Sequence, residues 1–511
     1  MVIIFNDSPQ VPNRSIGAYR IASALRAHGV RVEVIDFFRH WEKVLPKTTL
    51  IKYLNKIKLT PIDWIGFSSK FTLPQQKLRE SQSGSAKASN NTGVLTMASQ
   101  EFEMRIIQHI KSKNIPIVVG GPSIDLAKHY YTSEDIDIVC EGYADSAVIA
   151  IHEHIVNNQP LTYTMLNGMK LVNADKDYNN IDLGNIPVSY TDIDFIEDDE
   201  VFPIEISRGC MFHCHFCSFA HLGKRPGTYI RPKESIKAEI VNRYKRYGST
   251  KFMFVDDTFN DSVDKMKIIK EIRDETGIPF EFWSYARLDL LRAKPEMVDL
   301  IDQIGWTSFT FGVETFNKAS GSAVGKGADP EKLKEFLIYL RERFPTHTFF
   351  INIILGLPED TLESIQSTVD WFKAHPTVPT SVRIRELDIH DKRYKGNNSK
   401  IALNPENYGY EVIIPIDLFT GKGIVDWKNK NKLNRLQLHK LSTKYQDEIN
   451  EALGTKTMTS ATSMKSADLL EWDDEKGMIV NTEYYKVQNY IQSKCNFRNV
   501  PVEFKTRVLL P

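Results

Sequence analysis

Short apolar runs alternate along most of this chain with longer stretches whose apolar positions return at helical spacing. Val2–Phe5 predicts a strand. Ser15 opens an amphipathic helix with Ile16, Tyr19, Ala22 and Leu25 on one face and Gly29 as its stop. Val32–Phe37 and Trp64–Ser68 predict further strands, and Phe102–Ser112 a helix with Met104, Ile107 and Ile110 turned inward. Ile115–Val119 runs into Gly120-Gly121-Pro122. Ile136–Cys140 and a helix over Ala147–Ile155 follow. Repeated β-α units of this kind imply an α/β domain, a Rossmann-like doubly wound parallel sheet over 1–157, with ligands beyond the carboxyl ends of its strands.

Two stretches break the rhythm. Residues 81–94 (SQSGSAKASNNTGV) are small and polar, and predict either a disordered insertion or a lid that orders on binding. Residues 158–200 are poorly periodic and are expected to be a linker. From 201 the alternation resumes. Strands are predicted at Pro203–Ser207, Phe252–Val255, Glu281–Tyr285, Ser308–Gly312, Phe349–Leu355 and Val382–Ile384, with helices between them. Six such units over 201–395 predict a (β/α)6-type partial TIM barrel, with its site at the carboxyl ends of the strands. Residues 396–511 lose the pattern and are expected to be a separate, mixed C-terminal region that shapes a substrate pocket.

Composition adds exclusions. Over 511 residues, Lys and Arg total 65 and so do Asp and Glu. A net charge of zero removes any global electrostatic case for nucleic acid or an anionic membrane. The start, Met1-Val2-Ile3-Ile4-Phe5-Asn6-Asp7, lacks the basic and long apolar regions of a signal peptide. The strongest apolar run, Phe349 to Leu357, is too short to span a bilayer. A soluble, cytoplasmic protein is expected.

Of the five cysteines, Cys210, Cys214 and Cys217 fall within one short segment, Ser207-Arg208-Gly209-Cys210-Met211-Phe212-His213-Cys214-His215-Phe216-Cys217, directly after a predicted strand. Thiolates so spaced can converge on one metal centre, and favour iron–sulfur, zinc or Cu(I). A structural zinc site would need His213 or His215 as a fourth ligand, and no second cysteine pair exists to close it. A [4Fe–4S] cluster held by three cysteines keeps one iron open for another ligand. Non-enzymatic zinc binding is the alternative of another class.

The C-x3-C-x-aromatic-C spacing, with Phe216 before the third cysteine, and the preceding Ser-Arg-Gly resemble the radical S-adenosylmethionine (SAM) superfamily, in particular its cobalamin-dependent branch. Met211 departs from that branch, where proline is common. The resemblance implies that Cys210, Cys214 and Cys217 ligate three irons and that SAM chelates the fourth. One electron then cleaves SAM to methionine and a 5′-deoxyadenosyl radical. It also implies a low-potential electron donor, such as a flavodoxin or ferredoxin. Four later elements are similar to family motifs in family order. Asp256-Asp257 would contact the methionine end of SAM, unless Asp257 or Thr258 simply caps a helix. Ser284 and Arg287 would hold its carboxylate, unless Arg287 simply pairs with Asp289. Glu314 would accept bonds from ribose or the amino group, and Leu355-Gly356 would lie against adenine.

In the N-terminal domain, Ser68-Ser69, the Gly120-Gly121 turn and Glu141-Gly142 resemble positions of cobalamin-binding domains that precede such barrels. The Asp-x-His-x-x-Gly motif that supplies an axial histidine is absent: the chain there reads Asp7-Ser8-Pro9. Methylthiotransferases carry three further cysteines in this domain. Here only Cys140 is present, on a predicted strand, and Cys495 is unassigned. The resemblance thus implies radical SAM chemistry, with cobalamin-dependent methylation of an unactivated carbon as one outcome. Rearrangement or cyclisation without bound cobalamin is the other. The substrate is not legible.

Overall fold

The computed structural model describes residues 1–6, 8, 14–37, 61–68, 106–121, 131–178, 186–196, 200–217, 230–390, 399–414, 424–454, 470–473 and 478–502, with isolated positions between 41 and 56 and at 124 and 128. The proposed insertion at 81–94 lies outside the described residues. The chain divides into two compact units, one built on residues 1–200 and 471–511, the other on 201–417 and 422–470.

The first unit is a seven-stranded sheet. Its strands are β1 (Val2–Phe5), β2 (Val32–Ile35), β3 (Trp64–Ser68), β4 (Ile117–Gly120), β5 (Ile138–Glu141), β6 (Thr164–Leu166) and β7 (Met169–Asn173), in the order β2-β1-β3-β4-β5-β7-β6. Every pairing is parallel except β6 with β7. The expected doubly wound sheet is present, with near-continuous apolar strands because helices cover both faces.

The expected linker at 158–200 is corrected in part. Residues 164–173 are a hairpin at the edge of this sheet, turning at Asn167 (φ 50°) and Gly168 (φ 81°). Such paired positive φ values match the twist of adjoining strands, and Asn-Gly adopts them at little cost. β6 is largely solvent-facing, so it carries little apolar pattern; only Met169 and Val172 of β7 are fully buried.

A polar network sits beyond the ends of β1 and β2. The buried Arg14 guanidinium pairs with Glu200 at 2.5 and 2.6 Å and donates to Tyr19 Oη and to the carbonyls of Asp194 and Phe195. Tyr19 donates to Asp36, which also accepts from Asn6, Ser8 and the Phe37 amide. Burial alone would lower the Arg14 pKa, but Glu200 outweighs it and holds the group charged. The helix Thr482–Phe497 closes this network. Tyr490 Oη accepts from the Asp36 amide at 2.8 Å, and Lys494 pairs with buried Glu33 at 3.4 Å. Cys495 is buried in the same core, its thiol pushed up to about 12 by burial.

The second unit is a six-stranded, all-parallel sheet of β8 (Phe202–Ile204), β9 (Lys251–Phe254), β10 (Glu281–Ala286), β11 (Trp306–Glu314), β12 (Thr348–Leu355) and β13 (Ser381–Glu386), paired in sequence order. Helices at Lys233–Tyr247, Val263–Thr276, Pro295–Ile304, Pro330–Arg343 and Leu362–Ala374 link them. This is the expected (β/α)6-type partial barrel. Phe252, Phe254, Phe282, Trp306, Phe309, Phe311 and Phe349 form one aromatic layer on the helix side. Period-two alternation therefore turns Met253, Trp283, Tyr285, Thr310 and Asn352 to the inner wall.

The expectation of one separate region at 396–511 is also corrected. The helix Arg435–Leu453 packs on β13, with Leu438, Ser442, Tyr445 and Ile449 at helical spacing on its buried face, whereas Thr482–Phe497 belongs to the first unit. β14 (Ile389–His390), β15 (Tyr410–Ile414) and β16 (Ile424–Asn429) form a small antiparallel sheet beside the barrel. Among the described residues no helix is long and apolar enough to cross a membrane.

Glu200→Gln should leave the buried Arg14 guanidinium without its counter-charge. It is expected to cost about 3 kcal/mol or more of the first unit's stability, read as a lower urea midpoint for the transition that reports Tyr19 and Tyr490.

Candidate functional site

The loop that leaves β8 carries all three clustered cysteines. Each is partly buried and none is in a disulfide. The Cys217 amide donates to Cys214 O at 3.0 Å, which folds the end of the loop into a turn. Cys210 Sγ lies 3.4 Å from Thr258 Oγ1 beyond β9. Arg287, beyond β10, places Nη1 3.5 Å from Cys214 Sγ and its guanidinium 4.0 Å from the Phe212 ring centre. A cation so placed compensates thiolate charge. Asp289 holds it with bonds of 2.6 and 3.1 Å. Arg287 is thus paired with Asp289, the structural alternative, and it also faces the cysteine loop. Burial opposes its charge, and Asp289 and then Cys214 restore it above the ordinary arginine value.

His215, once a candidate zinc ligand, turns the other way. Its Nδ1 lies 3.0 Å from Ala323 O and 3.2 Å from Tyr408 Oη, a geometry suited to Nδ1–H donation. Its backbone amide donates to Val324 O, and its carbonyl accepts from the Ile401 amide. Among the described residues, no three His, Cys, Asp or Glu side chains group around a single-ion site. The donor set itself, three thiols on one loop beside a guanidinium, fits an iron–sulfur cluster with one iron left open.

Asp256 serves as a brace under the cysteine loop. It is buried and accepts from the Ile206 amide, Ser207 Oγ and Lys265 Nζ. Lys265 is itself fully buried and also reaches Asp261 at 2.7 Å, Ser207 Oγ at 3.0 Å and Thr258 O at 3.3 Å. Burial pushes its pKa down, but Asp256 and Asp261 more than offset this, and the ammonium is held above its usual value. Asp257, the next residue, is half-buried at the strand end.

Ser284, expected near the SAM carboxylate, lies on the face away from the inner wall. It is fully buried and aligned with Phe254 and Phe309, on the helix side of β10. Its neighbours Trp283 and Tyr285 take the inner wall, where Trp283 Nε1 donates to Thr310 Oγ1 at 2.9 Å.

Glu314 closes β11 at a bulge with φ 71°, a left-handed conformation that is strained for glutamate and typical of functional positions. Lys326 sits 3.3 Å from its Oε1. Leu355 and Gly356 end β12, but both are packed inward. A Cβ on Gly356 (φ 82°) would lie 2.4 Å from Leu438 and 2.5 Å from Trp427, and Tyr410 donates to its carbonyl. At Gly356, where an adenine contact is expected, the side a Cβ would occupy is covered by the C-terminal part of the unit.

In the first unit, Ser68, Gly120 and Cys140 stand side by side by register at the carboxyl edge of β3, β4 and β5. A Cβ on Gly120 would meet Cys140 O at 3.3 Å, so glycine permits this close approach. Gly121 follows with φ 110°. Glu141 pairs with Lys128. Ser69 lies outside the described residues. Cys140 is a buried core residue, its thiol pushed up to about 12 by burial.

Lys265, Asp261, Asn260 and Lys326 escaped sequence reasoning. The first two had a signal, an Asp–Lys pair four residues apart at the start of a helix. Asn260 exchanges two bonds of 2.9 Å with the Arg287 backbone and carries no such signal, nor does Lys326.

Residues 204–372 match the radical SAM superfamily. Over 172 residues the chain is 27% identical to an uncharacterized methyltransferase of Pyrococcus horikoshii, covering 33% of this chain and 35% of that one. Over 312 residues it is 24% identical to a hopanoid C-2 methylase of Rhodopseudomonas palustris, covering 56% and 55%. The chain thus spans about a third to about half the length of these curated relatives. Its fold is similar to that of the radical SAM methyltransferase TsrM from Kitasatospora setae, solved with cobalamin and a [4Fe–4S] cluster, at a TM-score of 0.57 and 15% identity over 80% of this chain and 77% of that one. The three free cysteines, on the loop after the first strand of the parallel barrel, lie inside the stretch that matches the radical SAM superfamily.

Proposed function

We propose that this chain is a radical SAM enzyme that methylates an unactivated carbon with the help of a corrinoid. The observation that carries it is the loop Cys210–Cys217, with three free thiols at the carboxyl end of the first barrel strand. A cluster bound there supplies one-electron reductive cleavage of SAM. The chain's own residues prepare the place. Lys265 and Asp256 fix the backbone at Ile206 and Ser207, three residues before Cys210. Arg287 sets a positive charge beside Cys214, where hydrogen bonds to sulfur adjust a cluster's potential. Glu314, strained and half-buried, presents a carboxylate to the ribose or amino group of SAM.

The corrinoid is supported by the methyltransferase relatives and by the cobalamin in TsrM. In the chain itself it is supported by the row Ser68, Gly120 and Gly121 at a sheet edge where ligands of open α/β sheets bind. A second reading, radical chemistry without corrinoid, is favoured by one observation. At the end of β1 and β2, Asn6, Ser8 and Asp36 spend their hydrogen bonds on one another. Free thiols and the need for low potential suit a reducing, cytoplasmic compartment and a flavodoxin- or ferredoxin-like donor.

Anaerobic reconstitution is expected to give iron and sulfide near four per chain, and dithionite with SAM to give methionine and 5′-deoxyadenosine. Corrinoid absorbance in the purified protein separates the two readings. Cys210→Ala, Cys214→Ala and Cys217→Ala should each abolish SAM cleavage; zinc without iron in the wild type would refute the proposal.

Lys265→Met should leave two buried carboxylates without their cation, at a cost of about 3–5 kcal/mol. The cysteine loop is then expected to lose its anchor before the barrel unfolds. Reconstituted K265M should release iron to a chelator faster than wild type at a temperature where its far-ultraviolet dichroism is unchanged.

A further inference from the structure

We propose that Arg383 and Arg385 on β13 form an anion-binding site on the inner wall of the barrel, which takes a carboxylate or phosphoryl group of the substrate. This rests on the barrel being the SAM-dependent chamber and adds the chemical class of what enters it.

The faces of β13 are fixed by its neighbours. Gln446 bonds the Val382 carbonyl and the Ile384 amide at 2.8 and 3.0 Å. Glu386 holds His439 at 2.9 Å and Ser442 at 3.1 Å. Val382, Ile384 and Glu386 are buried toward the helix Arg435–Leu453. Alternation then directs Arg383 and Arg385 to the opposite, inner face, where both are exposed. By register, Arg383 lies beside Asn352 and Arg385 beside Ile354, and Asn352 lies beside Gly312.

Neither arginine has a hydrogen-bond or ion-pair partner among the described residues. The carboxylates near the ends of other barrel strands are committed elsewhere: Glu205 to Arg208, Asp289 to Arg287 and Glu314 to Lys326. Several other arginines of the unit are paired or bonded, including Arg231 with Glu239, Arg435 with Asp388 and Arg341 with four carbonyls. Partial desolvation by the surrounding barrel wall, and then the charge of Arg385, lowers the Arg383 pKa below the ordinary arginine value, while Tyr285 opposes this. Two like charges two residues apart on one wall, without a counter-ion among the described residues, burden the folded state. Such a cost is expected where function needs the charges. Guanidinium forks match planar carboxylates and phosphoryl oxygens in bidentate fashion, and Asn352 adds an amide alongside.

The test uses the full chain, reconstituted anaerobically, as wild type, R383Q/R385Q and R383K/R385K. Inorganic pyrophosphate and citrate serve as phosphoryl and carboxylate probes in thermal melts, and SAM binding is followed in the same samples by equilibrium dialysis. Wild type is expected to melt higher with a probe. The glutamine pair should bind at least about tenfold more weakly, and without a probe it should melt no lower than wild type because the like-charge repulsion is gone. The lysine pair keeps charge but loses the fork, and intermediate binding supports the site. Equal responses in wild type and R383Q/R385Q, or none in wild type to either probe, overturn it. So does a loss of SAM affinity in R383Q/R385Q that parallels the loss of probe, because the guanidiniums would then serve the SAM carboxylate. A wild type that binds probe but neither iron nor SAM would support the anion site and overturn the SAM-dependent reading.

Discussion

One buried ammonium fixes where the cysteine loop begins. Lys265 reaches Asp256, Asp261, Ser207 and the Thr258 carbonyl from a position with no solvent contact. A lysine is tolerated there only if its charge is balanced and its donors are used. Its partners come from the end of β8, the end of β9 and the helix start at Val263, so these elements must dock together or not at all. Ser207 lies three residues before Cys210, and Thr258, beside Lys265, approaches the Cys210 sulfur. The first thiol is thus placed by the packing of the barrel wall, and the loop needs no rigidity of its own at that end.

The same dependence explains what the sequence disclosed and what it hid. The cysteine spacing, the six barrel strands and the parallel sheet before them are local patterns, and they were legible. Ser284 was assigned from motif order alone, yet a strand alternates, and its pairing with Phe254 and Phe309 turns it to the helix side. Asp256 was expected at the methionine end of SAM from motif order, but its partners, Ser207 and Ile206, come from about fifty positions away. Gly356 had the right turn chemistry, but Trp427 and Leu438 cover it from a stretch that carried no recognisable pattern. In each case the missing information was the partner, and a partner distant in the chain leaves no periodicity behind.

The first unit repeats this lesson in its own core. Arg14, Glu200, Tyr19, Asp36 and Tyr490 span almost the whole chain, from the first loop to the last described helix. No short window contains two of the charged members. The hairpin at 164–173 was hidden for a different reason: β6 is an edge strand facing solvent, and alternation needs a buried face to be visible.

The distribution of charge on the inner wall separates two tasks. At the cysteine loop, Arg287 is held by Asp289, stacked on Phe212 and aimed at Cys214. Its charge is committed to a fixed sulfur. On β13, Arg383 and Arg385 are committed to nothing described. Removing a hydrogen atom from carbon transfers no net charge, so a guanidinium has little to stabilise in such a step. What a cation can contribute is position. A substrate gripped by its anionic group is held in one orientation, and orientation decides which carbon meets a radical that reacts with whatever is near. On the proposed reading, two arginines on this wall with no counter-ion among the described residues are therefore better suited to choosing the site of reaction than to lowering its barrier.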